Sequence, residues 1–182
     1  MSIENSVSSA EPFKNKVAES GIITLDLAPF IPEDSSLIEF DIQPLLFMGM
    51  ILKEKDFRAA LTEYDWGQYA GKHVGIYCSA DAIVPVWAYM LIASYLQPIT
   101  ASLYFASGEE LKNQVIIQQI RTINPQEFEG KRVVIKGCGD VKIPASAYVA
   151  VSFLLRPVVK SLMYGEPCST VPIYKEALKK GA

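Results

Sequence analysis

The stretch "GKHVGIYCSADAIVPVWAYMLIASYLQP" (71–98) aligns without a gap on "GKRVVIKGCGDVKIPASAYVAVSFLLRP" (130–157). Ten of the twenty-eight positions are identical, against about two expected from ordinary residue frequencies. Whatever one segment builds, the other should build too, so this likeness constrains the fold more than any other feature. The identities are Gly71/Gly130, Lys72/Lys131, Val74/Val133, Ile76/Ile135, Asp81/Asp140, Pro85/Pro144, Ala88/Ala147, Tyr89/Tyr148, Leu96/Leu155 and Pro98/Pro157. The likeness runs on through "ASLYF" and "KSLMY".

Each segment reads as strand, polar loop, helix, strand. A short β-branched run (74–77 or 133–136) suits a strand. Pro85 or Pro144 suits the first helical position, where its missing N–H costs nothing. Pro98 or Pro157 closes the helix. Between the segments, "SGEE" at 107–110 has the spacing of a capping box. The helix it opens (108–121) carries Leu111, Val115, Ile116 and Ile120 on one side. Upstream, Val17 to Ser20 end a short helix that Gly21 breaks. "IITLDL" and "LIEFDI" (37–42) alternate like strands, and the Pro-rich loop between them allows either an antiparallel hairpin or a crossover. Phe57, Ala60, Leu61 and Tyr64 mark one face of a helix.

Strands alternating with helices predict one α/β domain: a mainly parallel sheet flanked by helices, with an internal βαβ duplication (71–108 and 130–167) related by a pseudo-twofold. Residues 1–12 are polar and expected to be flexible.

Residues 82–108 carry no charge. Pro85 and Pro98 cut this run to about a dozen residues, short of the roughly twenty needed to span a membrane. Helices 85–97 and 144–156 are apolar nearly all round, with Arg156 the only charge in either. A helix hydrophobic on every side is expected to be buried on every side, in a tight sandwich or at a subunit interface. A homodimer follows as the expected assembly. The net charge is −3, and no lysine or arginine cluster lines up on one face, which argues against nucleic acid as a partner. The start, "MSIENSVSSAEPFKNK", lacks the pattern of a secretory leader, so the expected compartment is the cytoplasm. Three cysteines there stay reduced, and their odd number argues against a disulfide framework.

On this outline Cys78 ends the strand 74–77, Cys138 ends 133–136, and Cys168 lies just beyond 159–164. All three fall at the carboxyl ends of strands, the edge where open parallel sheets bind ligands. A helix N-terminus lowers a thiol pKa, and three thiolates with a fourth ligand suit zinc or iron. Asp81 and Asp140 occupy equivalent places in the two loops, as oxygen ligands or as N-caps. The competing reading is a non-catalytic dimeric interaction or scaffold module whose cysteines pack as small hydrophobes. His73, the only histidine, sits five residues before Cys78 and so at the opposite end of its strand, out of reach for a dyad. "KGCGD" and "CSAD" also suit an anion cradle, although the chain has neither GxGxxG nor a Walker A lysine. Tyr89 and Tyr148 read as core, and Trp66 and Trp87 as core or interface anchors. No positioned base singles out an enzymatic reaction.

The strings "ILKEKDFR", "CSADAIVPVWAYM", "VVIKGC" and "MYGEPCSTVP" resemble a bacterial family, domain of unknown function 2480. The resemblance covers nearly the whole chain after about residue 16. It implies a stand-alone cytoplasmic protein and, through gene neighbourhood, iron–sulfur assembly proteins as partners, in keeping with a thiol or metal role. It carries no site residues over to this chain.

Overall fold

The computed structural model describes residues 21–136, 139, 141–166 and 169–177. The segment 1–12 and the short helix expected to end at Ser20 lie outside the described residues. Among the described residues, seven strands form two sheets rather than one. The first sheet contains β2 (Leu37–Asp41), β3 (His73–Tyr77) and β4 (Ser102–Phe105), all parallel with β3 central. The second runs β1 (Ile22–Leu25), β5 (Arg132–Lys136), β6 (Ser161–Glu166) and β7 (Ser169–Lys175). Its first three strands are parallel, and β7 returns antiparallel beside β6. The helices are α1 (Glu54–Glu63), α2 (Val86–Leu96), α3 (Gly108–Ile120) and α4 (Ala145–Leu155).

The central strands behave as buried parallel strands should, with three consecutive buried residues in each. Val74 and Ile76 of β3 face a core built with Phe40, Phe57, Leu61, Ile92 and Leu96. Val133 and Ile135 of β5 face a second core with Leu27, Val151, Leu155 and Leu162. The turns that lead into β3 and β5 match. Gly71 N–H donates to the Ile99 carbonyl at 2.8 Å, and Gly130 N–H to that of Val158 at 2.9 Å. Both glycines have positive φ, 68° and 65°, which the turn into the strand demands.

The proline-rich loop after β1 is neither a hairpin nor a crossover within one sheet, because it carries the chain from the second sheet to the first. Both strands it joins end in the same turn. Asp26 Oδ1 accepts the Ala28 N–H, and Asp41 Oδ1 that of Gln43, each at 2.9 Å. Leu27 and Ile42 are then fully buried, one in each core.

Two local expectations shift. Pro85 and Pro144 sit at the N-cap with extended ψ, one place before the first helical residue. Ser107 is the N-cap of α3, as the box spacing predicts, but its side chain makes no capping bond. The Glu39 carboxylate of β2 takes the Gly108 N–H instead, at 2.5 Å. A tertiary acceptor has displaced the local one.

Gly75 lies at the centre of β3, where a Cβ would stand 2.3 Å from the Ala106 carbonyl oxygen. Backbone on that side cannot yield as a flexible side chain would. Gly75→Ala is expected to destabilise the fold by about 2 kcal/mol or more, read as a lowered urea midpoint at unchanged slope.

Candidate functional site

Cys78 follows the last residue of β3, at the carboxyl edge of the first sheet. It is half-buried, packs against the Phe40 core, and its S–H donates to the Ala80 carbonyl at 3.7 Å. Burial, and then electrostatic repulsion from the nearby Cys78, push the Tyr89 phenol of α2 upward. Beside it, Ser79 Oγ–H donates to Asp41 Oδ2 at 2.5 Å and Ser79 N–H to Oδ1 at 3.0 Å. Burial would raise the Asp41 carboxyl, but these bonds and the Gln43 N–H outweigh it and hold the group below its ordinary value. Tyr77 is pushed the other way by burial and by the charges of Asp41 and Glu39. The edge is therefore acidic, with one thiol among hydrogen-bonded oxygens.

Asp81 is exposed in the loop before α2. Pro85 holds the N-cap position, so Asp81 is not the cap. Cys138, Asp140 and Cys168 lie outside the described residues. Among the described residues, no group of three or more His, Cys, Asp or Glu is arranged to hold a metal ion. The division into two sheets bears on the expected convergence. Cys78 follows a strand of the first sheet, whereas chain positions 138 and 168 follow β5 and β6 of the second.

The described end of the second sheet has a different charge balance. Lys136 Nζ donates to Asp26 Oδ2 at 2.9 Å, and that bond does most to hold Asp26 below its ordinary value. Tyr148 O–H donates to the Lys136 carbonyl at 3.4 Å. Its ring meets Tyr164 edge-on at 5.4 Å, as Tyr89 meets Phe105 at 5.2 Å in the first sheet. Tyr89 and Tyr148 thus hold strand to helix in matching places.

His73 opens β3 while Cys78 lies past its other end, so the two form no dyad. The His73 Nδ1 pairs with Ser102 Oγ at 2.7 Å. Trp66 is an anchor in an aromatic cluster, stacked on Phe40 at 5.4 Å and on Tyr95 at 5.1 Å. Its Nε1–H donates to the Leu61 carbonyl at 2.9 Å, the partner a half-buried indole favours. Trp87 lies edge-on to Phe57, with the Arg58 guanidinium 5.3 Å from its ring.

Sequence reasoning missed the aspartates that end β1 and β2. The strings "DLAPFI" and "DIQPLL" carry the signal, an Asp followed three residues later by Pro, each closing a strand.

The family model described as protein of unknown function (DUF2480) matches residues 11–176. The chain belongs to that family. No curated protein and no solved structure shows a match. No helix among the described residues of this DUF2480 protein is long and apolar enough to cross a membrane.

Burial lowers the His73 pKa below its ordinary 6.5. As pH falls the unfolded chain takes up that proton first. The histidine's contribution to stability is complete above about pH 6.5 and is lost below it. Asp26 and Asp41, held low, lose their contributions only in the more acidic carboxylate range. The urea midpoint is expected to drop between about pH 7.5 and about pH 5.5, and His73→Gln to remove most of that drop.

Proposed function

We propose that this chain is a self-associating interaction module whose contact surface is the charge-free segment 82–108. The observation that carries this reading is the exposure of α2. The helix buries only Ala88, Ile92 and Leu96 in its own chain. Val86 and Met90 stand 74% and 67% exposed, with Ile83 and Phe105 exposed beside them. Fully burying such a side chain is worth about 1.5–3 kcal/mol, so leaving several in water is a large forfeit. Soluble monomers seldom carry contiguous apolar patches much beyond a few hundred Å².

The absence of charge favours a second copy as the occupant. A twofold interface sets a surface against itself, and any charge near the axis meets its own image. The segment 82–108 has none to repel. Helix α4 presents Val149 and Phe153 in the same way. The test is mass by light scattering on gel filtration. Twice 20.1 kDa is expected for the wild type, and the monomer mass for Met90→Lys with an unchanged circular dichroism spectrum. A wild-type monomer at micromolar concentration would contradict the proposal.

A second reading keeps the thiols as a metal site, zinc or iron, with iron–sulfur assembly proteins as partners. It is supported by the pairing of β5 with β6, in which Lys136 lies opposite Gly165. Neighbouring strands are about 4.8 Å apart. Chain positions 138 and 168 follow that paired edge by two and three residues, which favours Cys138 and Cys168, with Asp140, as the ligand set. Cys78 and Asp81 then belong to the other sheet. Elemental analysis of untagged protein is expected to find metal that Cys138→Ser or Cys168→Ser removes and Cys78→Ser retains. Metal-free wild-type protein with chelator-insensitive thiols would refute this reading.

A further inference from the structure

The outer edges of the two sheets differ in their fitness for pairing. An open strand edge is a template for another chain, and charge or proline blocks it. The edge strand β2 carries Glu39 and Asp41, so in self-pairing it would bring like charges together. The edge strand β7 carries Pro172, which has no N–H to donate, and ends at Lys175. The edge strand β1 reads "IITL", also without charge or proline, but its Ile23 and Leu25 pack against the second core and it carries no exposed aromatic ring. The edge strand β4 reads "SLYF", with neither charge nor proline, and leaves Phe105 exposed.

One side of β4 pairs with β3 from Ser102 to Phe105. Among the described residues no strand pairs with its other side. In the second sheet, the strand in the corresponding place shows what such a side accepts. There β6 follows α4, pairs parallel with β5, and carries β7 antiparallel along its outer side from Ser161 to Glu166. Tyr164 of that covered strand is 39% exposed, while Phe105 of the uncovered one is 74% exposed. Each ring leans edge-on against the tyrosine of its own helix, Tyr148 or Tyr89. Phe105 thus lies on the α2 side of its sheet, continuous with the apolar face of that helix.

We infer that β4 pairs antiparallel with β4 of a second copy, joining two three-stranded sheets about a molecular twofold. This inference rests on the self-association proposed above and names the strand that makes it. A twofold axis through an antiparallel pair sets side chains of one face against each other, Leu103 toward Phe105 of the partner strand about a self-paired Tyr104, with no like charges opposed. It also brings the uncharged α2 faces of the two copies to one side of the joint sheet.

The test combines mass with hydrogen–deuterium exchange over a dilution series of the full chain. The β4 amides are expected to be protected in concentrated protein and to lose protection at the dilution where the mass halves, while the β2 amides do not change. Phe105→Lys is expected to give a monomer with a wild-type circular dichroism spectrum, and Phe153→Lys on α4 to stay dimeric. A dimer whose β4 exchange ignores concentration would overturn edge pairing and leave self-association standing. A monomer at every concentration would overturn both. Protection of β4 that vanishes when a co-purifying peptide is washed away would assign the edge to a foreign strand and refute the second-copy inference.

Discussion

Helix α3 holds the two sheets together, and the rest of the architecture depends on it. Its first half sends Leu111 and Val115 into a cluster with Ala106, against Leu37 and Tyr104 on the back of the first sheet. Its second half sends Ile116 and Ile120 into the core of the second sheet, with Leu27, Val133 and Leu155. Both ends of that contact are apolar and buried, so the helix gains from each sheet at once. The polar contacts around it are secondary. The Lys112–Asp34 pair at 2.8 Å is largely in water, where such bridges contribute about 0–1 kcal/mol. Glu39 contributes more directly by taking the Gly108 N–H, a helix-end donor that the Ser107 side chain leaves free. The clash that excludes a Cβ at Gly75 belongs to the same joint, since Leu111 and the Ala106 backbone press on that position.

This bridge lets the chain enclose one sheet within the other in sequence. β1 is laid down first, yet its partner β5 comes after the whole first sheet. The Asp26–Lys136 pair spans 110 residues of chain. Loop-closure entropy rises only slowly with length, so the burial of Leu27 and of the β1–β5 ladder readily offsets it. The two carboxyl edges that result are not chemically equivalent. In the first, Asp41 is satisfied by a neutral hydroxyl and by N–H groups, so its charge stays on the edge beside Cys78. In the second, Asp26 is matched by the Lys136 cation. Similar strands and turns thus present one acidic edge and one balanced edge.

The helices and most strands were legible because their punctuation is local. Pro98 and Pro157 mark helix ends and the β-branched runs mark strands. Prediction and structure there differ by a residue or two. What was not legible is what depends on partners distant in the chain. The pairing of β1 with β5, and so the split into two sheets, leaves no trace in the alternation of "IITLDL". Leu111, Val115, Ile116 and Ile120 looked like one helix face, but they serve two cores that only the tertiary fold separates. Strand β7 was overlooked because Pro172 interrupts it, and the register shifts beside that residue. The uncharged helices α2 and α4 were expected to be covered on all sides. The chain covers one stripe of each, and the other side faces outward. Of the candidate site residues, Cys138, Asp140 and Cys168 lie outside the described residues. Cys78 follows its strand directly, as the β-branched run 74–77 led one to expect.

In the dimer proposed here, the uncharged outer face of α2 is a contact surface between copies. Solvent paramagnetic relaxation of the methionine methyls tests it most directly, because the chain carries its own controls. Met48 and Met50 are exposed in the turn before α1, and Met90 is similarly exposed on α2 in a single copy. A soluble paramagnetic agent is expected to broaden Met48 and Met50 strongly while Met90 is shielded in concentrated protein. Broadening of Met90 equal to that of Met48 and Met50 at every concentration would contradict it.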